Sequence, residues 1–357
     1  MSKRKNVTMA DVAKRANVSQ PTVSMILSGR HASSFPSSTA ERVLTAAREL
    51  GYLSGRGDGI PRSRQILVLA VTVTNPYYST MVHSIERLIQ DTEFRILVCD
   101  TYHIPEVETA YLDFAVQAKY AGVIFLYPPD NPEAFHAVSH NLPVIAICDR
   151  TSNMKTDIVE LDNRLSGALA AEHLLSLGHR KLAFLSNSPA GNTGRSMRLE
   201  GIQSKMRKHG LDGNLLLCIK DDNSADSIQY ADYAYRTGRQ LALDERIYSS
   251  GVTGLICVDD MLAFGAMDAL LERGYRIPRD FSIIGFDNLL YSGFSRISLT
   301  TIDHRMSLVS QSAAELLLHR IRNPLCEAGS ESGLARFKFE CAPTLVVRGS
   351  TASPIRP

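Results

Sequence analysis

No stretch of this sequence approaches the roughly 20 consecutive apolar residues that a membrane-spanning helix requires. The longest apolar run, 66–73, contains Thr72, so no membrane partner is expected. The basic N-terminus MSKRKNVTMADVAKR lacks the apolar segment of about 7–15 residues that a secretory signal places behind its charges, which predicts a cytoplasmic protein. Cysteine is sparse and scattered. Cys99, Cys148, Cys218, Cys257, Cys326 and Cys341 include no CxxC pair, and four lie among apolar neighbours, as reduced buried thiols do; neither a disulfide framework nor a zinc knuckle is indicated. Catalytic signatures are missing too: there is no GxSxG, HExxH, GxxxxGK[ST] or helix-opening GxGxxG. An enzyme is therefore not expected, and neither is a cofactor. His136 and His140 are spaced four apart on a predicted helix, but with no third ligand nearby they read as a solvated pair and not a metal site.

The sequence does have ordinary globular composition, with 44% hydrophobic and 21% charged residues over 357 positions. That is enough for two or three domains with real cores. Its net charge of +2 hides a division: residues 1–64 carry +7 and the remainder −5. A compact basic segment favours polyanions because each neutralised phosphate releases counterions, whereas an acidic body resists non-specific adsorption.

Three short helices are legible in the basic segment. Thr8-Met9-Ala10-Asp11 is a capping box opening a run with Val12 and Ala16. Ser19 caps a second helix with Pro21 in its first turn and Val23, Ile26 and Leu27 on its apolar side. Ser38-Thr39-Ala40-Glu41 starts a third, which carries Val43, Leu44, Ala47 and Leu50 and stops at Gly51. Two helices joined by a tight turn inside a basic segment suit insertion of the second helix into a DNA major groove. Its polar side carries Ser19, Gln20, Thr22 and Ser24 beside Met25.

The run VTMADVAKRANVSQPTVSMILSGR, followed by RVLTAARELGY, closely resembles the headpiece of the LacI/GalR (lactose-repressor-type) family of bacterial transcription regulators. The resemblance implies that Gln20, Pro21 and Met25 face base edges while Ser19, Thr22 and Ser24 lie near phosphates, with Thr8 and Arg30 also in the DNA-binding set. Gln20 can pair bidentately with adenine, and Met25 offers only apolar contact, suited to a thymine methyl. Relatives usually follow the headpiece with a hinge helix of the form Pro-Asn-x-x-Ala-Arg-x-Leu. Here residues 54–64, SGRGDGIPRSR, place three glycines within five residues, each disfavouring helix by about 1 kcal/mol relative to alanine. Pro61 adds a further break. A flexible basic tether is predicted instead.

From Gln65 onward, apolar runs (ILVLAVTV, FRILVC, GVIFL, PVIAI, KLAFLS, GLICV, FSIIGF) alternate with helical patterns. Such runs are strands of parallel sheets covered on both faces, and the series restarts near Asp162, giving an α/β body of two lobes. Ligands bind such bodies at the carboxyl ends of strands. Those ends carry Asn75, Tyr77, Tyr78, Asp100, Tyr127, Asp149, Arg150, Asn187, Asp259, Asp260, Asp287 and Asn288. The set suits a polyhydroxylated ligand, whose hydroxyls donate to carboxylates while an apolar face rests on a ring. Asn75-Pro76-Tyr77-Tyr78, Leu177-Gly178-His179-Arg180, Arg198-Leu199-Glu200-Gly201 and Gly285-Phe286-Asp287-Asn288 extend the family resemblance over about 7–349.

The resemblance implies effector contacts from Arg198, Asp259 and Asp287, with Tyr77, Tyr78, Tyr127 and Asp149 lining the cleft. Asp260 is expected to cap the next helix. Asp259 stands where relatives often carry Asn, which tilts the pocket toward donor-rich or cationic ligands; a sugar is favoured, with a nucleoside or amine left open. The expected division is a headpiece (1–53), tether (54–64), body (65–349) and tail (350–357). Within the body the N-lobe spans about 65–160 and 292–322, the C-lobe about 161–291 and 323–349. The expectation is a sequence-specific DNA-binding regulator of the repressor type. It would act as a homodimer on a near-palindromic double-stranded operator under control of a small-molecule effector, most simply a carbohydrate. The alternative is a cytosolic ligand-binding protein or enzyme on the same body without operator binding.

Overall fold

A computed structural model describes residues 8–27, 35–50, 63–149, 157–187, 193–221, 232–323 and 337–355. The chain divides into two compact units, one of residues 1–63 with 320–334 and the other of 64–319 with 335–357.

The first unit holds α1 (Met9–Ala16), α2 (Gln20–Leu27) and α3 (Ser37–Glu49). Thr8 and Asp11 form the capping box: Thr8 N–H donates to Asp11 Oδ2 at 2.8 Å, and Asp11 N–H donates to Thr8 Oγ1 at 3.4 Å. Asn17, in the left-handed region at φ 56°, ends α1, a conformation that asparagine tolerates better than most residues. Ser19 Oγ accepts the Thr22 N–H at 3.2 Å, capping α2. The third helix begins one residue before its expected start, with Thr39 N–H donating to the Pro36 carbonyl. Val12, Ala13, Ala16, Val23, Ile26, Val43, Ala46 and Ala47 form the core.

The second unit is α/β. In chain order it comprises β1 (Gln65–Ala70), α4 (Pro76–Ile89), β2 (Arg95–Asp100), α5 (Pro105–Gln117), β3 (Gly122–Phe125), α6 (Pro132–Ser139), β4 (Val144–Asp149) and β5 (Asp157–Leu161). Then come α7 (Asn163–Ser176), β6 (Leu182–Asn187), α8 (Thr193–Lys208), β7 (Leu216–Asp221), α9 (Tyr233–Ala242), α10 (Glu245–Ser249), β8 (Gly254–Cys257), α11 (Asp260–Glu272) and β9 (Ser282–Phe286). The chain finishes with β10 (Thr300–Asp303), α12 (Met306–Arg322), β11 (Lys338–Cys341) and β12 (Thr344–Val346). Two six-stranded sheets result, ordered β11-β5-β4-β3-β1-β2 and β12-β10-β9-β8-β6-β7. All ladders are parallel except β10 with β12. The strands β1, β3, β5, β6, β8 and β9 are buried on both faces, as parallel sheets require, whereas the edge strand β2 is partly exposed.

This topology corrects the expected lobe boundaries. β10 pairs with β9 and so belongs to the C-lobe, whereas β11 pairs with β5 and completes the N-lobe. The chain therefore passes between lobes three times, after β5, after β10 and between β11 and β12. Residues 350–355 are also part of the C-lobe and not a detached tail: Ile283 N–H donates to Ser350 O at 2.9 Å, and Ser350 Oγ donates to Ile283 O at 2.6 Å. Helix pairs in this lobe meet through glycine. A Cβ at Gly167 would overlap the Arg198 carbonyl between α7 and α8, and one at Gly265 would overlap the Tyr235 carbonyl between α11 and α9. No helix among the described residues is long and apolar enough to cross a membrane.

Candidate functional site

In the first unit, burial of Val23 and Ile26 turns the opposite side of α2 outward, so Gln20, Pro21, Ser24 and Met25 are exposed and form one stripe. Ser19 and Thr22 flank it, their hydroxyls 2.7 Å apart. Thr8 is exposed, but its side chain is engaged by the capping box. Arg30 and residues 54–62 lie outside the described residues.

In the second unit a cavity of ≈70 Å³ lies between the lobes at the carboxyl ends of the strands. From the N-lobe it takes Thr72, Asn75, Tyr78 and His103, and from the C-lobe Asn187, Arg195, Tyr233 and Asp259. Local chain chemistry puts them there. Asn75 caps α4 by accepting the Tyr77 N–H at 3.0 Å, which sets Tyr78 in the first turn of the helix. Asp100 Oδ1 accepts the Val73 N–H at 2.9 Å and fixes the loop after β1. His103 is held by Asp130, Nδ1 to Oδ2 at 2.9 Å. Burial raises the Tyr78 hydroxyl above its ordinary value, with Arg195 opposing. Burial also lowers the Arg195 guanidinium, Asp259 and Tyr78 opposing.

Of the six expected effector residues whose side chains are described, Tyr78 and Asp259 line this cavity. Tyr77 packs edge-on against Tyr78 at 5.0 Å. Tyr127 is 3% exposed, donates to Glu108 Oε2 and accepts from Thr101 Oγ1, both at 2.7 Å. The signal for this was Glu108, a fully buried carboxylate that also accepts the Asp130 and Asn131 N–H groups. The Asp149 side chain lies outside the described residues. Arg198 and Asp287 occupy a second cluster: Arg198 sits over the Phe286 ring at 4.6 Å, donates from Nε to Asn163 Oδ1 at 2.8 Å, and donates from Nη1 to the Val258 carbonyl. His304 Nδ1 is 3.4 Å from Asp287 Oδ1, and its ring stacks on Phe286. Burial raises Asp287 well above the ordinary carboxylate range and lowers His304 well below the ordinary imidazole value, so both neutral forms are favoured.

At the start of α11 the cap expected of Asp260 is supplied by Asp259, which also lines the cavity. Asp259, extended at φ −150°, is the cap: its Oδ1 accepts the Leu262 N–H at 2.7 Å. Asp260 points inward and accepts from Ser292 Oγ at 2.5 Å, Thr301 Oγ1 at 2.6 Å and Leu289 N–H at 2.9 Å. Either residue can cap in principle; the one still outside the helical turn does so. His103, Arg195 and Tyr233 were missed. For Arg195 a signal existed, since its spacing of three from Arg198 puts both on one side of α8.

A helical unit exposing a polar stripe, joined to a two-lobed body with an interlobe cavity, defines a DNA-binding transcription regulator with a ligand-binding body. The chain belongs to the LacI family: residues 8–54 match the bacterial regulatory proteins of the lacI family, and 171–351 match the periplasmic binding protein-like domain. Among similar proteins are the HTH-type transcriptional regulator DegA of Bacillus subtilis, 29% identical over 97% of this chain and 98% of that protein. The HTH-type transcriptional repressor PurR of Haemophilus influenzae is 27% identical over 97% of this chain and 99% of its own. A LacI family transcriptional regulator from Enterococcus faecium, solved with bound ribose, is 27% identical with a TM-score of 0.69, covering 81% of this chain and 99% of that one. These relatives are regulators and not enzymes. Among the described residues no group of three or more His, Cys, Asp or Glu side chains could hold a metal ion.

Proposed function

We propose that this chain is a cytoplasmic, effector-controlled repressor that binds a near-palindromic operator as a homodimer. The exposed stripe of α2 carries the reading: Gln20 pairs with a base edge, Pro21 and Met25 face base edges with apolar contact, and Ser19, Thr22 and Ser24 approach phosphates. In this reading residues 1–53 are the headpiece, 54–64 the tether and the remainder the body. The exposed apolar cluster of Leu290 (78%), Tyr291 (42%) and Phe294 (49%) supports self-association, because scattered single residues are ordinary but clustered ones mark contact surfaces.

The effector occupies the interlobe cavity, touching Tyr78 and Asp259 directly, with Arg198 and Asp287 holding the wall behind them. A sugar fits the donors and acceptors present, and the ribose bound by the Enterococcus faecium relative supports this class. A cavity of ≈70 Å³ is well below the ~300 Å³ of ordinary ligand pockets, so binding must change how the lobes meet. That change is the differential interaction by which a ligand shifts operator affinity. Repeated selection of bound duplexes from a random DNA library by the full-length protein tests the reading. A palindrome is expected, with preference at one base position per half-site relaxed in Gln20→Ala; absence of any enriched sequence, with and without ribose, would overturn it.

A further inference from the structure

Four helices point their N-terminal ends at the interlobe cavity. Asn75 caps α4, Asp259 caps α11, Arg195 lies in the first turn of α8, and Tyr233 opens α9; all four residues line the cavity. Each helix is ten residues or longer, and each N-terminus bears roughly half a positive charge. A neutral ligand does not need this concentration of positive potential. Arg195 adds a full charge, fixed in place by donation from Nη1 to the Asn187 backbone carbonyl at 2.8 Å. Beside it the Asn187 side chain is 4% exposed, and its Oδ1 is buried with no hydrogen-bond partner among the described residues. An orphaned buried acceptor is unfavourable, and a ligand hydroxyl would satisfy it.

We infer that the effector is an anionic, polyhydroxylated molecule, a sugar acid or sugar phosphate, whose anionic group is read by Arg195 while its hydroxyls donate to Asn187 Oδ1 and Asp259. This rests on the interlobe cavity being the effector site. Asp259 is compatible with it: one oxygen is committed to the Leu262 N–H, and the carboxylate accepts hydroxyl donors while Arg195 takes the anion. The guanidinium suits a planar or tetrahedral oxyanion through paired N–H donors. Arg195 is thus a specificity-determining residue, distinct from Arg198, which does not line the cavity.

Calorimetric titration of the full-length protein with two pairs, D-ribose against D-ribose 5-phosphate and D-glucose against D-glucuronate, tests this. In at least one pair the anionic member is expected to bind at least about tenfold tighter, the scale of one charge-assisted hydrogen bond. Arg195→Gln should remove that preference by weakening the anionic member about tenfold more than the neutral one, with Arg195→Lys restoring part of it. Neutral sugars binding as well as or better than their anionic partners would overturn the anion assignment and leave the effector site standing. Equal weakening of both members in Arg195→Gln would show a role confined to supporting the Asn187 backbone and would also overturn it. Failure of all four to bind would overturn both the anion assignment and the carbohydrate reading.

Discussion

Replacing Asp260 with asparagine should flatten part of the stability–pH curve. Asp260 is fully buried, and burial pushes its carboxyl from 3.8 up to about 7 even though Ser292, Thr301 and the Leu289 N–H favour the charged form. In the unfolded chain the same group titrates near 3.9. Between these values the folded protein holds a proton that the unfolded chain has released. Stability from this group is thus fully present below about pH 4 and declines as pH rises to about 7. A gap of about 3 units at about 1.4 kcal/mol each amounts to ~4 kcal/mol across that window. Asparagine can keep all three contacts: its oxygen accepts from Leu289 and Ser292, and its amide donates to the Thr301 hydroxyl, which can reverse its role. Urea-unfolding midpoints of both proteins, measured at several pH values from 5 to 8, read the effect as a difference, which includes the relief of Asp287 from the Asp260 charge. The asparagine protein should gain on the wild type by about 1.4 kcal/mol per pH unit up to about pH 7 and level off beyond it. A difference that stays constant with pH would refute the reasoning.

Three further outcomes are expected. Tyr127→Phe leaves Thr101 and Glu108 without their shared hydroxyl partner and should cost about 1–3 kcal/mol of stability, seen in a thermal melt, while effector affinity stays unchanged. Gly265→Ala drives a methyl into the Tyr235 carbonyl and should destabilise the body by about 1–3 kcal/mol through separation of α9 from α11, read from the urea midpoint. Thr8→Ala removes the capping box and should cost the headpiece about 1 kcal/mol, followed as loss of helical circular dichroism on heating.

Local chemistry was legible in the sequence and long-range pairing was not. Thr8 with Asp11 and Ser19 with Thr22 close hydrogen bonds within three residues, so residue type and spacing suffice to place α1 and α2. Parallel strands were readable because burial on both faces leaves no polar alternation. Lobe membership of β10 and β11 depends on partners such as β5, some 180 residues from β11, and neither strand's composition names its neighbour. The site divides similarly. Asp259 and Tyr78 stood out at strand and helix starts, whereas Tyr127 was claimed by Glu108 from a different element. His103, Arg195 and Tyr233 converge from separate loops and helices, and only the fold brings them together.

The late return of the chain to both sheets also bears on how the protein is made. The N-lobe sheet lacks its edge strand until residues 338–341 are available, and the C-lobe sheet waits for 344–346 and the Ser350 contacts. A nascent chain leaving the ribosome can close the three-helix headpiece early, since its core lies within residues 12–47. Neither lobe can finish until almost the whole chain has emerged. The maturing repressor therefore passes through a stage in which a DNA-reading head exists without a complete sensing body, and the open edges of β5 and β10 are where that intermediate is most exposed to mispairing.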